Sequence, residues 1–393
     1  MANKYIDKFN KILYKNRFAY IILLTMSLVL FKLTAQGNIK YLLILIFFFC
    51  YFSYIIQSIL LIKKNYILYI TRILLMIFLC VELFFAILNE NKSFIQFNAK
   101  YFIISDSIIG WRNRPNSVNE RCTLGIGKDT VYDVYYSTDG LGRRIPSTND
   151  VDDTLSPESV KNKHAIFLGC SFTFGSGLSY NSTFPALFEH MYPNFKSYNY
   201  GVHGYGPNHN CLLFDEGINT INNNTVPEDS GFCLYSYIGH HLNRVYGHTG
   251  GAYKYGYPDV YVNNNKLTRK MKSERFYWFF NNSEVKQIFK INFTYPKTEA
   301  FYKRFAGIIN YTAQKYWEIK PCGRFYVGLY PGNYISDTTW IRFLDPKIKV
   351  LNIPPPVDFR YNPSYVIKND GHPTKKLNLF YVRNFSKLIV NDN

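Results

Sequence analysis

Short apolar runs alternate with amphipathic helical segments from residue 164 onward, and this alternation constrains the fold more than any other feature. Runs of this length bounded by turn residues favour buried strands, and a 3.6-residue period favours helices. Their order predicts a flavodoxin-like α/β fold, a mostly parallel sheet with helices on both faces. The predicted strands are Ala165–Leu168, Tyr198–Val202, Phe232–Ile238, Arg324–Leu329 and Lys347–Asn352. The predicted helices are Thr183–Met191, a stretch from Pro207 to about Ile221, Thr298–Tyr316 and Pro373–Ile389.

The regular alternation lapses between Val245 and Phe293, a segment rich in Gly, Tyr and Asn. We interpret it as an insertion near the carboxyl ends of the strands, where such loops often shape a substrate site. Its aromatic side chains could stack on sugar rings or pack into a small core of their own. These aromatic residues are Tyr253, Tyr255, Tyr257, Tyr261 and Trp278.

Three long apolar runs precede this region, at Ala19–Gln36, Tyr41–Ile62 and Tyr66–Leu88. Each is long enough to cross a bilayer as a helix, and the first is too long for a signal peptide. Basic residues cluster before the first run and at Lys63 and Lys64, so both clusters should face the cytoplasm. Three spans then place the rest of the chain outside. In a bacterium this predicts a multi-pass inner-membrane protein with a periplasmic C-terminal domain.

The sequence therefore divides into three predicted parts. Residues 1–89 form a membrane region with three transmembrane helices, 90–163 a connecting module, and 164–393 the α/β domain. The module contains paired turn signals and short β-prone runs in Asp106–Ser117 and Tyr135–Pro146. We expect it to be a spacer packed on the domain.

The formal net charge of +18 is shared between the first 88 residues, which carry +8, and the remainder, which carries +10. A basic domain can bind nucleic acid, anionic glycans or an anionic membrane surface. Placement outside the cytoplasm argues against nucleic acid, and abundant lysine and asparagine can also reflect an AT-biased genome. Five cysteines follow the apolar runs, an odd number that leaves at least one thiol free. Their spacing does not suggest a metal site, and we expect neither a metal nor a cofactor.

The strand Ala165–Leu168 breaks into the turn Gly169-Cys170-Ser171, which places a serine where α/β folds bind their ligands. The turn lacks the lysine of a phosphate-binding loop. It also differs from the Gly-x-Ser-x-Gly elbow of α/β-hydrolases. Far along the chain, Asp370 and His372 precede the last helix. They could supply the orienting acid and the base that a serine nucleophile needs, although Asp370 could also simply cap a turn.

Three sequence blocks together resemble the SGNH, or GDSL-type, hydrolase superfamily over about residues 164–390. The blocks are Gly169–Gly175, Asn199–Gly206 and Asp370–Pro373. The resemblance implies that Ser171 is the nucleophile, that His372 is the base, and that Gly204 donates its amide to the oxyanion. The segments GWRNRPN and GLGRR also resemble a region found in membrane-tethered members. His203 and His209 are expected to be local turn residues.

The chain departs from this family in three ways. Cys170 replaces the frequent aspartate beside the nucleophile. The usual acid position, three residues before the histidine, is occupied by Asn369, so we assign the acid to Asp370. The third block lacks the asparagine that completes the oxyanion hole, and we assign that donor to His241, whose ring would add charge stabilisation if protonated. The alternative donors are His240 and Asn243.

These features predict a membrane-anchored serine esterase or O-acyltransferase with a Ser-His-Asp mechanism. The predicted location and the family resemblance point to acyl esters, acetyl esters in the first place, of envelope glycans or lipids. The sequence leaves open whether water or a sugar hydroxyl accepts the acyl group. The altered third block and acid spacing favour an alternative, a non-catalytic SGNH-fold protein that binds or positions envelope polysaccharide machinery.

Overall fold

The computed structural model describes residues 95–98, 102–126, 129–150, 161–215, 220–246, 256–272, 297–331, 337–359 and 362–390. Within these ranges no helix is both long and apolar enough to cross a bilayer. The three predicted membrane spans lie outside the described residues, as do Tyr253, Tyr255 and Trp278.

The described residues form strands and helices in the following order along the chain. The strands are β1 (Ile95–Asn98), β2 (Ile103–Asp106), β3 (Gly110–Asn113), β4 (Glu120–Ile126), β5 (Asp129–Thr138), β6 (Arg144–Ile145), β7 (Lys163–Leu168), β8 (Phe195–Asn199), β9 (Ser230–Tyr237), β10 (Tyr257–Asn263), β11 (Lys266–Lys272), β12 (Arg324–Leu329) and β13 (Lys349–Asn352). The helices are α1 (Ser171–Phe174), α2 (Phe184–Met191), α3 (Pro207–Leu212), α4 (His240–Arg244), α5 (Glu299–Ile319) and α6 (Lys375–Val390).

Five parallel strands form the central sheet, in the order β8-β7-β9-β12-β13. Numbered by their order in the chain, this is the 2-1-3-4-5 arrangement of flavodoxin-like folds. The predicted α/β sheet is therefore confirmed. Strand order reverses between β7 and β9, so the crevice expected at a switch point opens beside the carboxyl end of β7.

Alternate residues of β7 face opposite sides of the sheet, as the period of a strand requires. Ile166 and Leu168 belong to the core that α5 covers, whereas Ala165 and Phe167 belong to the core beneath α2 and α6. Because both faces are covered, β7 reads as a continuous apolar run rather than an alternating one.

The predicted second strand and the helix after it are corrected by the structure. The strand is Phe195–Asn199 rather than Tyr198–Val202, because the Asn199 side chain accepts the Gly201 amide at 3.0 Å and turns the chain. The apolar residues that follow pack in a loop. Helix α3 ends at Leu212 instead of continuing to about Ile221, since the chain doubles back and the Ile221 amide donates to the Leu213 carbonyl at 3.0 Å.

Most of the described residues before β7 form antiparallel strands. β1, β4, β5 and β6 make one sheet, and β2 and β3 make a hairpin. We call residues 102–150 of this region the β module. Its small core consists of Phe102, Cys122 and Tyr136 together with Phe174 from α1. The β module is thus packed on the turn that carries Ser171.

A second hairpin, formed by β10 and β11, lies within the predicted insertion. The buried Tyr257 hydroxyl donates to the Val245 carbonyl. The exposed Tyr261 ring lies 3.8 Å from the Arg304 guanidinium. Of the predicted stacking residues, Tyr257 is therefore buried, and Tyr261 is paired with a cation.

An aromatic cluster joins the last helix to β7. We call the turn that follows β7, Gly169–Gly175, the nucleophile turn, because it carries the predicted nucleophile Ser171. Phe385 of α6 stacks on Phe188 of α2 at 5.6 Å and meets Phe167 of β7 at 6.3 Å. Removing a buried phenylalanine ring typically costs roughly 3–5 kcal/mol, because a cavity remains. We therefore expect Phe385→Ala to lower the free energy of unfolding by about this amount in urea denaturation. Leu388→Ala, on the exposed side of the same helix, is the matched control and should cost under about 1 kcal/mol.

Candidate active site

Ser171 lies at the start of the short helix that follows β7. Gly169 precedes it with φ at +156°, and a Cβ there would lie 2.1 Å from the Thr173 hydroxyl, so only glycine fits this turn. The helix ends at Gly175, whose φ of +83° is left-handed. The turn holds Ser171 at the carboxyl end of the sheet with 7% of its surface exposed.

His372 and Asp370 lie on a tight loop before α6. The Ile367 amide donates to the His372 carbonyl at 2.8 Å, and the Ile367 carbonyl accepts the amides of Asp370 and Gly371 at 3.2 and 3.0 Å. Asn369 adopts a left-handed φ of +65°, which asparagine tolerates better than most residues. Asn369 therefore shapes the turn, and the carboxylate that follows it faces the imidazole.

The structure brings together the three residues predicted to form the triad. His372 Nε2 lies 2.8 Å from Ser171 Oγ, and His372 Nδ1 lies 2.6 Å from Asp370 Oδ2. With the imidazole neutral, Nδ1–H donates to the carboxylate, which leaves Nε2 to accept the serine proton. This arrangement can activate a hydroxyl as a nucleophile. The His372 side chain is 22% exposed, so a bound ester could reach it.

Gly204 lies in the loop after β8, with a left-handed φ of +77°. Its neighbour His203 ties this loop to the nucleophile turn. His203 Nε2 lies 2.6 Å from Ser176 Oγ, and Ser176 Oγ donates to the Ser171 carbonyl at 3.3 Å. Within the described residues, no hydrogen bond engages the amides of Ser171 and Gly204. Both amides are therefore available to a ligand.

His203 is neutral under ordinary conditions. Burial, and then the nearby His372 and Arg144, lower the pKa of His203 to about 3. Because Ser176 donates to a carbonyl, Nε2–H of His203 must donate to Ser176. The structure agrees with the expectation that His203 is a turn residue. His209 differs from the same expectation, because it lies within α3, where its ring stacks on Tyr205 at 4.6 Å.

His241 is fully buried in α4, away from solvent. Its Nδ1 lies 2.7 Å from the Tyr235 hydroxyl, and its ring packs on Tyr237. Its Nε2 has no hydrogen-bond partner among the described residues. Burial, followed by the charges of Arg244 and His240, lowers the pKa of His241 well below 6.5. This lowered pKa favours the neutral ring, which can donate N–H but does not add a positive charge.

The described contacts do not link His241 with the triad. Of the alternative donors, His240 is exposed and Asn243 is partly buried. The structure thus assembles Ser171, His372 and Asp370 and leaves the third oxyanion donor without a direct contact that identifies it.

Sequence reasoning missed the part that the β module takes in this site. Trp111 Nε1 donates to the His203 carbonyl at 2.8 Å, and Asn113 Nδ2 donates to the Gly201 carbonyl at 3.3 Å. Arg144 donates to the carbonyls of Phe174 and Gly175 at 2.8 and 2.7 Å. The segments GWRNRPN and GLGRR carried the signal, because they combine turn glycines with arginine, asparagine and tryptophan side chains.

The described cysteines are all free thiols: Cys122, Cys170, Cys211 and Cys233 are buried, and Cys322 is exposed. In the same part of the chain, no group of three or more His, Cys, Asp or Glu side chains is placed to hold a metal ion.

No protein-family model matches the sequence, and no curated protein matches it either. Several solved structures are similar to part of this chain. A lipolytic protein of the G-D-S-L family from Veillonella parvula is 13% identical, with a TM-score of 0.33, and the match covers 58% of this chain and 98% of that one. An acetyl xylan esterase from Butyrivibrio proteoclasticus is 10% identical, with a TM-score of 0.35 and 72% of each chain covered.

A third similar structure is a carbohydrate esterase family 2 enzyme with a carbohydrate-binding domain from Corynascus thermopiles. It is 12% identical, with a TM-score of 0.34, and the match covers 69% of this chain and 72% of that one. At these scores the likeness carries no argument about function. The function is therefore argued from the strand order and the geometry of the site.

The lowered pKa of His203 makes stability depend on pH. Its folded value of about 3 lies below the ordinary 6.5, so the unfolded chain binds the proton more readily and stability falls as pH drops below 6.5. Between pH 6.5 and pH 5, this histidine alone should cost roughly 2 kcal/mol of the free energy of unfolding. Urea denaturation of His203→Gln should show a pH dependence smaller by that amount. The exposed His190→Gln is the control, and an equal change in both variants would contradict the assignment.

Proposed function

We propose that this protein is a membrane-anchored serine esterase that acts on acyl esters of envelope glycans or lipids. The observation that carries the proposal is the chain of two hydrogen bonds from Ser171 through His372 to Asp370, at 2.8 and 2.6 Å. The position of this chain adds support, because it lies at the carboxyl edge of the sheet beside the switch point.

The first half of the reaction forms an acyl-enzyme. Neutral His372 takes the Ser171 proton at Nε2 as Oγ bonds to the carbonyl carbon of the ester. Asp370 accepts the Nδ1–H bond, which fixes the tautomer and stabilises the imidazolium that forms. The tetrahedral intermediate then collapses. The ester C–O bond breaks, and the leaving alkoxide takes the proton from His372 Nε2.

The second half reverses these roles with water. His372 Nε2 removes a proton from water, the hydroxide oxygen bonds to the acyl carbon, and Ser171 Oγ leaves with the proton returned by His372. In both halves the amides of Ser171 and Gly204 donate to the developing oxyanion, and we assign the third donor to the neutral ring of His241. His241 Nε2 is a buried polar atom without a described partner, which is costly for stability unless a ligand uses it.

The substrate class rests on the predicted location and the family resemblance. Three apolar runs and their flanking basic residues predict a domain on the outer face of the inner membrane. The esters found there are carried by envelope glycans and lipids. The basic remainder of the chain, with a formal charge of +10, favours an anionic substrate or surface.

The triad is tested by serine reactivity in the full-length chain. We expect a fluorophosphonate probe to label the native protein, and an acetyl-ester reporter to be hydrolysed. Ser171→Ala should abolish both. Asp370→Asn should lower kcat by roughly 10³ to 10⁴, because the imidazole loses its orienting partner.

The matched control for the acid is Asn369→Gly, since glycine accepts the same left-handed backbone. It should retain kcat within about threefold, a change of under 1 kcal/mol in the barrier. If the native protein is not labelled, or if Ser171→Ala is labelled equally, the catalytic proposal is wrong. A non-catalytic protein that binds polysaccharide machinery would then be the better account.

The third oxyanion donor is tested at position 241. We expect His241→Ala to lower kcat roughly 10²-fold to 10³-fold with little change in KM, because the lost N–H acts only on the transition state. His241→Asn, which restores a side-chain N–H donor, should recover most of the rate. Equal activity of the alanine variant and the native protein would remove His241 from the oxyanion hole.

A further inference from the structure

Arg144 is a buried cation beneath the nucleophile turn. It is 2% exposed, and its described hydrogen-bond partners are backbone carbonyls rather than carboxylates. Nη1 donates to the carbonyls of Phe174 and Gly175 at 2.8 and 2.7 Å, and Nη2 donates to Leu178 at 2.5 Å. A planar guanidinium can serve three acceptors at fixed angles, which a lysine ammonium cannot do in the same geometry.

Two aromatic rings hold the guanidinium in place. The Tyr136 ring centroid lies 4.5 Å from the Arg144 Cζ atom, and that of Phe174 lies 4.7 Å from it. The Tyr136 hydroxyl also accepts the Gly177 amide at 2.8 Å. The β module therefore binds the backbone from Phe174 to Leu178 through the Arg144 guanidinium and the Tyr136 hydroxyl. This is the segment that begins at the last residue of α1.

The same segment connects Ser171 with the loop that carries Gly204. The Ser176 amide donates to the Ser171 carbonyl at 3.0 Å, and the Ser176 hydroxyl lies 2.6 Å from His203 Nε2. A shift of residues 174–178 would thus move the nucleophile and the adjacent oxyanion donor relative to one another. A misplacement of about 1 Å is enough to cost roughly 10²-fold in rate.

We propose that Arg144 is a positioning residue for the reaction, acting through residues 174–178 to hold Ser171 and the Gly204 amide in register. The described contacts place it against this segment and not against the triad atoms, so it is not a catalytic residue. The β module would on this account be part of the active-site framework. The inference rests on the proposed function.

The module provides a matched control in the neighbouring Arg143. Arg143 is also largely covered, binds Asp139 at 2.6 Å, and donates to the Thr225 carbonyl at 2.9 Å. It lies over the rings of Tyr198 and Tyr200 and donates to the Tyr200 hydroxyl at 3.3 Å, rather than contacting the nucleophile turn. Replacing it removes a similar number of module contacts without touching residues 174–178.

The test compares Arg144→Met, Arg144→Lys and Arg143→Met in the full-length chain. The fluorophosphonate labelling rate and the ester kinetics are measured for each variant. Both are normalised to the folded fraction, which near-UV circular dichroism gives. We expect Arg144→Met to lower kcat and the labelling rate by roughly 10-fold to 100-fold, with KM changed less than about threefold. Arg144→Lys should recover only part of the loss. Arg143→Met should lower the unfolding midpoint but keep the labelling rate within about threefold.

Chemical rescue distinguishes positioning from a purely structural role, because a general loss of folding would not be restored by a small guanidinium compound. In Arg144→Ala, millimolar methylguanidinium should restore labelling in proportion to its occupancy, whereas methylammonium should not. The positioning role is overturned if the native protein is labelled and Arg144→Met is labelled at the same rate. If Arg144→Met does not fold, Arg144→Lys is used for this comparison. If the Arg143 variant loses as much rate as the Arg144 variants, the role is also overturned. Failure of the native protein to label at all would overturn the proposed function instead.

Discussion

The hydrogen bond between Ser171 and His372 joins residues that are 201 positions apart, and the packing of the fold has to hold both ends. One end follows the central strand β7, and the other precedes the last helix, α6. The aromatic cluster of Phe167, Phe188 and Phe385 fixes that helix on the sheet. Close-packed rings tolerate little relative movement, so the distance between Oγ and Nε2 is set by the core rather than by either loop alone.

The loops at the two ends then determine how the side chains of Ser171, His372 and Asp370 are oriented. Left-handed backbone at Asn369 turns the chain so that Asp370 faces the imidazole. Glycine at position 169 lets the chain leave β7 without a clash. The β module contacts the nucleophile turn through Arg144, and it contacts the loop after β8 through Trp111 and Asn113. The site is therefore supported from two regions of the sequence that flank the nucleophile.

The parallel sheet and the triad were predictable from the sequence because both depend on local signals. Apolar runs of strand length, a serine turn, and an aspartate and histidine before a helix are each visible in a few residues. The apolar pattern of residues 200–202 predicts a strand, whereas the Asn199 side chain turns the chain there. The sequence favours Asp370 over Asn369 as the acid because only aspartate carries a negative charge. It does not indicate the left-handed backbone at Asn369 that orients Asp370.

The role of Arg144 was not predictable for a different reason. A buried arginine that binds carbonyls has no sequence partner of opposite charge to reveal it, and arginine is normally an exposed residue. His241 illustrates the same limit, since nothing local indicates that its ring is surrounded by Tyr235 and Tyr237 and stays neutral. Tertiary burial determines the state of both side chains.

Because the β module and the nucleophile turn share a core, not every fragment of this protein would keep the surroundings of Ser171. A fragment beginning at residue 164 would keep the three sequence blocks by which the chain resembles SGNH hydrolases. It would nevertheless leave the carbonyls of residues 174, 175 and 178 without their cation, and it would uncover the Phe174 ring that packs on Phe102 and Tyr136. The smallest fragment that preserves the surroundings of Ser171 must therefore begin before β2.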